Sequence, residues 1–118
     1  HDESIKLMKS SQILINLLAE MPNNEILISG KLMEYIATGN PVLCIGNIEG
    51  ESALILKAIS NARIFEKQQI EESSKFLVDL YKKWEKGISC INNVEDESIK
   101  SKSRFATTRK LSELLNQL

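Results

Sequence analysis

Apolar residues fall into two kinds of run along this chain. Gln12 to Ala19 holds Ile-Leu-Ile-Asn-Leu-Leu-Ala, and Pro41 to Ile45 holds Val-Leu-Cys-Ile, both of strand length and nearly unbroken. Ala62-Arg-Ile-Phe65 is a shorter third run. Strands covered on both faces have this pattern, which favours a parallel sheet over an exposed hairpin. The intervening segments have helical spacing instead. Asp2 can cap a short helix reaching Ser10, with Ile5, Leu7 and Met8 as its apolar positions. A helix from Gly30 to Thr38 is closed by Gly39, suited to the left-handed position after a helix, and by Pro41, which forbids continuation. Another runs from Glu51 to about Ser60. A long one spans Gln69 to Lys86, where Phe76, Leu77, Leu80 and Trp84 form one stripe and Gly87 ends it. Glu20–Glu25 and Ile88–Glu97 read as loops. The final helix has Phe105, Leu111, Leu114, Leu115 and Leu118 as its apolar positions.

The order up to Phe65 is α-β-α-β-α-β, the signature of a Rossmann-like, doubly wound α/β unit with right-handed crossovers. Three strands are few for such a domain, which usually carries about five or six. Residues 1–118 therefore read as a single partial domain, the second half of a doubly wound sheet. The missing half would sit beside the strand at residues 12–19, leaving that strand's edge open. The chain starts at His1 rather than Met and is read as cut from something longer.

Composition narrows the function classes. Fifteen basic residues against 16 acidic ones give a net charge of −1, which argues against a nucleic-acid binder that must displace counterions. An aromatic content of 5% argues against base-stacking platforms. The longest apolar run, Ile13 to Ala19, is too short to span a membrane, and no secretory leader is visible. Cys44 and Cys90 have no motif spacing and read as reduced thiols of a cytoplasmic protein. His1 is the only histidine. No base–nucleophile pair and no metal-ligand cluster stand out, so no catalytic residue and no metal site are assigned.

Candidate chemistry gathers at two turns. Ile28-Ser-Gly-Lys31 opens a helix, where free N–H groups and the helix dipole suit an anion, Gly30 permits close approach and Lys31 adds a charge. The same residues also suit a plain helix start with a solvated lysine. Glu34 stands among Leu32, Met33, Tyr35, Ile36 and Ala37, either on an exposed stripe or turned into a cleft. A carboxylate accepting two ribose hydroxyls is a common nucleotide contact. The second turn, Gly46 to Ser52, follows a strand and precedes a helix, at the ligand-binding edge of such a sheet. Its glycines match neither the dinucleotide fingerprint nor a P-loop.

The segment Ser29-Gly-Lys-Leu-Met-Glu-Tyr-Ile-Ala-Thr-Gly-Asn-Pro-Val-Leu43 resembles the donor-binding signature of GT-B-fold glycosyltransferases of the group 1 type. His1-Asp-Glu-Ser before a helix and an apolar strand is similar to the family's C-terminal half. Ser103-Arg-Phe105, with Thr108 and Leu111, is similar to its closing helix, which usually folds back toward the other domain. The resemblance implies that Glu34 holds the ribose hydroxyls of a nucleotide-diphosphate sugar, the donor substrate. It implies that Gly30, Lys31 and the backbone at Leu32 face the diphosphate, and that the turn from Gly46 to Gly50 lines the same cleft. No further cofactor is implied. Many relatives carry a second glutamate upstream; that position here is Ile26, with Glu25 one residue away, so the donor sugar is not specified.

The resemblance thus implies a fragment of a glycosyltransferase, cytoplasmic or peripheral to a membrane, working in polysaccharide or glycoconjugate synthesis. Its partner would be the N-terminal domain of the same enzyme, which brings the acceptor site, so the fragment alone should not turn over. A different class is an α/β interaction module that pairs through the open sheet edge, as a homodimer or with another protein. An isomerase that splits nucleotide sugars shares the fold, but fits the closing helix and the Gly-Lys-Leu-x-Glu-Tyr form less well.

Overall fold

A computed structural model gives the fold and describes residues 2–26 and 28–118. His1 lies outside the described residues. Strands β1 (Leu14–Leu17), β2 (Val42–Ile45) and β3 (Ala62–Phe65) form one parallel sheet in that order. Leu14 stands beside Val42 and Val42 beside Ala62, and the register holds through Leu17, Ile45 and Phe65. Helix α1 (Asp2–Ser10) precedes the sheet, α2 (Gly30–Thr38) and α3 (Glu51–Lys57) are the two crossovers, and α4 (Ile70–Glu85) follows β3. Two further helices close the chain, α5 (Glu97–Lys100) and α6 (Arg104–Leu115). The molecule is therefore an α/β structure whose parallel sheet is layered with helices, compatible with a Rossmann-like arrangement.

Side chains alternate between the faces of a strand, so the register sorts them. Leu14, Asn16, Val42, Cys44, Ala62 and Ile64 share one face. Against it lies the core: Leu32 and Ile36 of α2, Leu56 of α3, Ile59 just beyond it, and Ile99 of α5. Both crossover helices supply this layer. Strands that step in one direction through crossovers of constant hand must place their helices on one side. The other face carries Ile15, Leu17, Leu43, Ile45 and Phe65. There α4 reaches the sheet through Phe76, whose ring lies 6.0 Å from that of Phe65 in a tilted arrangement.

Coverage of that second face stops short of β1. Leu43 is buried, whereas Ile15 is 50% and Leu17 74% exposed. The run from Gln12 to Ala19 predicts a longer strand covered on both faces; the strand is four residues long and covered on one. Even-numbered residues of β1 turn their backbone toward β2, as the Leu14 N–H to Pro41 carbonyl and Leu18 N–H to Ile45 carbonyl bonds show, both 2.9 Å. Odd-numbered residues turn theirs to the unpaired edge.

Other boundaries differ for local reasons. α3 ends at Lys57 because Ala58 and Ile59 donate three residues back, to Ile55 and Leu56, tightening the last turn. A short 3₁₀ turn, Asn24–Ile26, interrupts the loop before α2. Within the polar stretch after α4, the Asp96 carboxylate accepts the Ser98 N–H at 2.9 Å and starts α5. The apolar residues of α6 and of the chain end beyond it stay largely exposed, from Phe105 to Leu118.

Candidate functional site

α2 begins at the carboxyl end of β1, the side of a parallel sheet where ligands bind. Ser29 is its N-cap in extended conformation, without a side-chain cap bond. The Ser29 carbonyl receives the Leu32 N–H at 3.0 Å and, more weakly, that of Met33 at 3.4 Å. That leaves the N–H groups of Gly30 and Lys31 as the open donors of the first turn. A Cβ at Gly30 would meet nothing within 4 Å, so the backbone there is approachable. The Leu32 side chain is wholly buried in the core and its N–H is occupied, so this residue anchors the turn.

Glu34 is exposed one turn further along α2 and has no hydrogen bond or ion pair among the described residues. With Gly30, Met33 and Ala37 it forms one wall of a groove of about 540 Å³. That size suits a small-molecule ligand. The α5–α6 corner supplies the rest of its lining, with Ile99, Lys100, Lys102, Ser103 and Arg104. Lys31, exposed, is not part of the lining.

Hydrogen bonds between distant residues hold the stretch leading to this corner at the end of α2, and Ile99 of the corner is itself buried in the core with Leu32 and Ile36. Gly39 ends α2 in the left-handed region (φ +78°), and its carbonyl accepts both the Asn92 N–H at 2.8 Å and the Asn61 side-chain amide at 2.9 Å. Asn61 also donates to the Cys90 carbonyl at 2.7 Å and accepts from the Asn92 amide at 2.8 Å. The stretch after α4 is thereby fastened at the end of α2, and Val94 packs on Gly39. From there the chain continues to the basic residues of the groove. Lys100 is paired with Glu95 at 3.0 Å, which raises the lysine's pKa. Sequence reasoning did not place Lys100, Lys102 or Arg104 at the site. The available signal was the Ser103-Arg-Phe105 start of the last helix.

The second turn is used differently. The Gly46 N–H donates to the Phe65 carbonyl at 2.9 Å, and a Cβ there would stand 2.8 Å from Leu18 Cδ1. The Gly50 N–H donates to the Asn47 carbonyl at 3.4 Å, and a Cβ there would stand 3.0 Å from the Glu25 carbonyl oxygen. Both glycines serve close approach by the chain itself. Gly46 lines a separate groove of about 210 Å³ with Leu18, Glu20 and Lys67; Gly50 lines neither. The six sequence-chosen positions therefore fall into three groups: Gly30 and Glu34 on the main groove, Lys31 and Leu32 off its lining, and the two later glycines elsewhere.

The buried Cys44 thiol is pushed up to about 11 by burial, against a smaller opposite effect of the Asn16 amide 3.8 Å away. It is a core thiol. Among the described residues, no group of three or more His, Cys, Asp or Glu side chains converges as a metal site. No helix among them is long and apolar enough to cross a membrane. Comparison of the chain with protein-family models, with curated proteins and with solved structures finds no match.

Proposed function

We propose that this chain is the donor-nucleotide-binding part of a GT-B-fold glycosyltransferase. The observation that carries the reading is the pairing of Gly30 and Glu34 on one groove. An approachable helix start and an unpaired carboxylate stand one turn apart, within the segment that resembles the donor-binding signature. Glu34 accepts the two ribose hydroxyls of the nucleotide. The open N–H groups at Gly30 and Lys31 face the diphosphate, and the lysine's charge acts from outside the groove lining.

In the intact enzyme the acceptor oxygen bonds to the anomeric carbon of the sugar as the bond from that carbon to the diphosphate oxygen breaks. The electron pair leaves on the nucleoside diphosphate, and the positive groups around α2 stabilise it there. The acceptor's proton passes to a base outside this chain. An N-terminal domain and the remaining strands, paired along the free edge of β1, complete the enzyme. Alone, the chain binds nucleotide and does not turn over. Titration with UDP, GDP and ADP, comparing wild type with Glu34→Ala, tests the reading.

A second reading is an interaction module that pairs through β1. It is favoured by the exposure of Ile15 and Leu17 beside an unpaired strand edge.

A further inference from the structure

The groove beside α2 has a cationic side that the donor-site reading does not use. Lys102 and Arg104 line it together with Glu34. Neither side chain has an ion pair or hydrogen bond among the described residues, whereas Lys100 between them and Ile99 is neutralised by Glu95. Lys102 is half-buried and Arg104 exposed. Arg104 is the first residue of α6, just after the cap Ser103, whose hydroxyl accepts the Ala106 N–H at 3.1 Å. The cap fixes the corner, and the hydrogen bonds around Gly39 fix the chain that leads to it. Two cations and one carboxylate, none of them paired among the described residues, thus share a groove whose lining also includes Met33, Ala37 and Ile99.

This set of charges matches one ligand better than two. A carboxylate accepts hydroxyls and repels phosphate; lysine and arginine bind phosphate, arginine through a planar fork. A nucleoside diphosphate carries both groups at a separation that a groove of about 540 Å³ can span. We infer that Lys102 and Arg104 bind the diphosphate of the nucleotide whose ribose Glu34 holds, making the α5–α6 corner a second wall of the donor site. This inference rests on the donor-site reading. It also assigns that corner a role, since its position sets diphosphate affinity.

The test measures the dissociation constants of UDP, GDP and ADP, and of uridine, guanosine and adenosine, by chemical-shift titration. The proteins are wild type, Glu34→Ala, Lys102→Gln, Arg104→Gln, the double variant and Lys110→Gln. Lys110 is exposed on α6 outside the groove, so its variant carries the charge change of either single variant without the contact. Arg104 is exposed, so Arg104→Gln keeps the test open if Lys102→Gln fails to fold. The expected result is a loss of about tenfold in diphosphate affinity in the double variant, with nucleoside affinity unchanged and Lys110→Gln like wild type. Wild-type diphosphate affinity in the double variant, alongside a loss in Glu34→Ala, overturns the inference and leaves the donor-site reading standing. An equal loss in Lys110→Gln also overturns it. Absence of any nucleotide binding by wild type defeats the donor-site reading and the inference together.

Discussion

The backbone N–H of Asn92 donates to the carbonyl of Gly39 at 2.8 Å, tying the stretch after α4 to the end of α2. The same carbonyl takes the Asn61 amide, so one oxygen at a helix terminus gathers two distant segments. Gly39 can serve this role because it has no side chain. Its φ of +78° suits glycine, and a Cβ would stand 2.6 Å from the Asn92 carbonyl oxygen. Gly39→Ala must strain the left-handed turn, at about 1–2 kcal/mol, and push the Asn92 backbone away as well. The expected outcome is a loss of at least about 2 kcal/mol in unfolding free energy, read by urea denaturation. Gly30→Ala, with open space and a helical position, should change stability by less than about 1 kcal/mol.

Burial separates the two thiols. Cys44 is wholly buried and its pKa is raised to about 11, whereas Cys90 is partly exposed. A disulfide-exchange reagent at about pH 8 should titrate Cys90 quickly and Cys44 only on unfolding. The linkage has a definite sign. From the ordinary value of 9.0 up to about 11, the unfolded chain releases the Cys44 proton while the folded chain keeps it. This contribution to stability is complete below about pH 9 and is lost as the pH rises through about 11. Urea denaturation at several pH values should show a steeper alkaline decline for wild type than for Cys44→Ala.

Leu17 tests the free edge of the sheet. It is 74% exposed, so Leu17→Lys should change stability by no more than about 0.5 kcal/mol. An apolar unpaired edge invites pairing with another chain, and an edge lysine opposes it. Sedimentation velocity should show concentration-dependent self-association of wild type that is weaker in Leu17→Lys. A tight dimer unaffected by Leu17→Lys would place the contact on another surface.

The parts of this fold that were legible in the sequence are those set by local chemistry. Gly39 and Pro41 punctuate the boundary between α2 and β2, and the apolar runs announce parallel strands. Coverage of those strands was not legible. Ile13 to Ala19 has the same composition whether a helix lies over Ile15 and Leu17 or not, because hydropathy records what a strand can bury and not what is present to bury it. The second turn shows a similar limit. Gly46 and Gly50 do signal close backbone approach, but the approaching groups are Leu18 and Glu25, which only the fold identifies. The basic wall of the groove was hidden for a third reason. Lys102 and Arg104 come to the same groove as Glu34 along a chain fastened upstream by Asn61, Asn92 and Gly39, three residues with no sequence pattern linking them.

The most direct test of the central claim is a chemical-shift titration of the chain with UDP, GDP and ADP, repeated with Glu34→Ala. Glu34 is exposed and has no partner among the described residues, so its removal should leave the fold intact. The expected result is a set of shifts centred on Gly30, Lys31 and Glu34 for at least one nucleotide, with affinity reduced about tenfold or more in Glu34→Ala. Binding of equal strength in Glu34→Ala, or shifts confined to residues away from α2 and the α5–α6 corner, would contradict it.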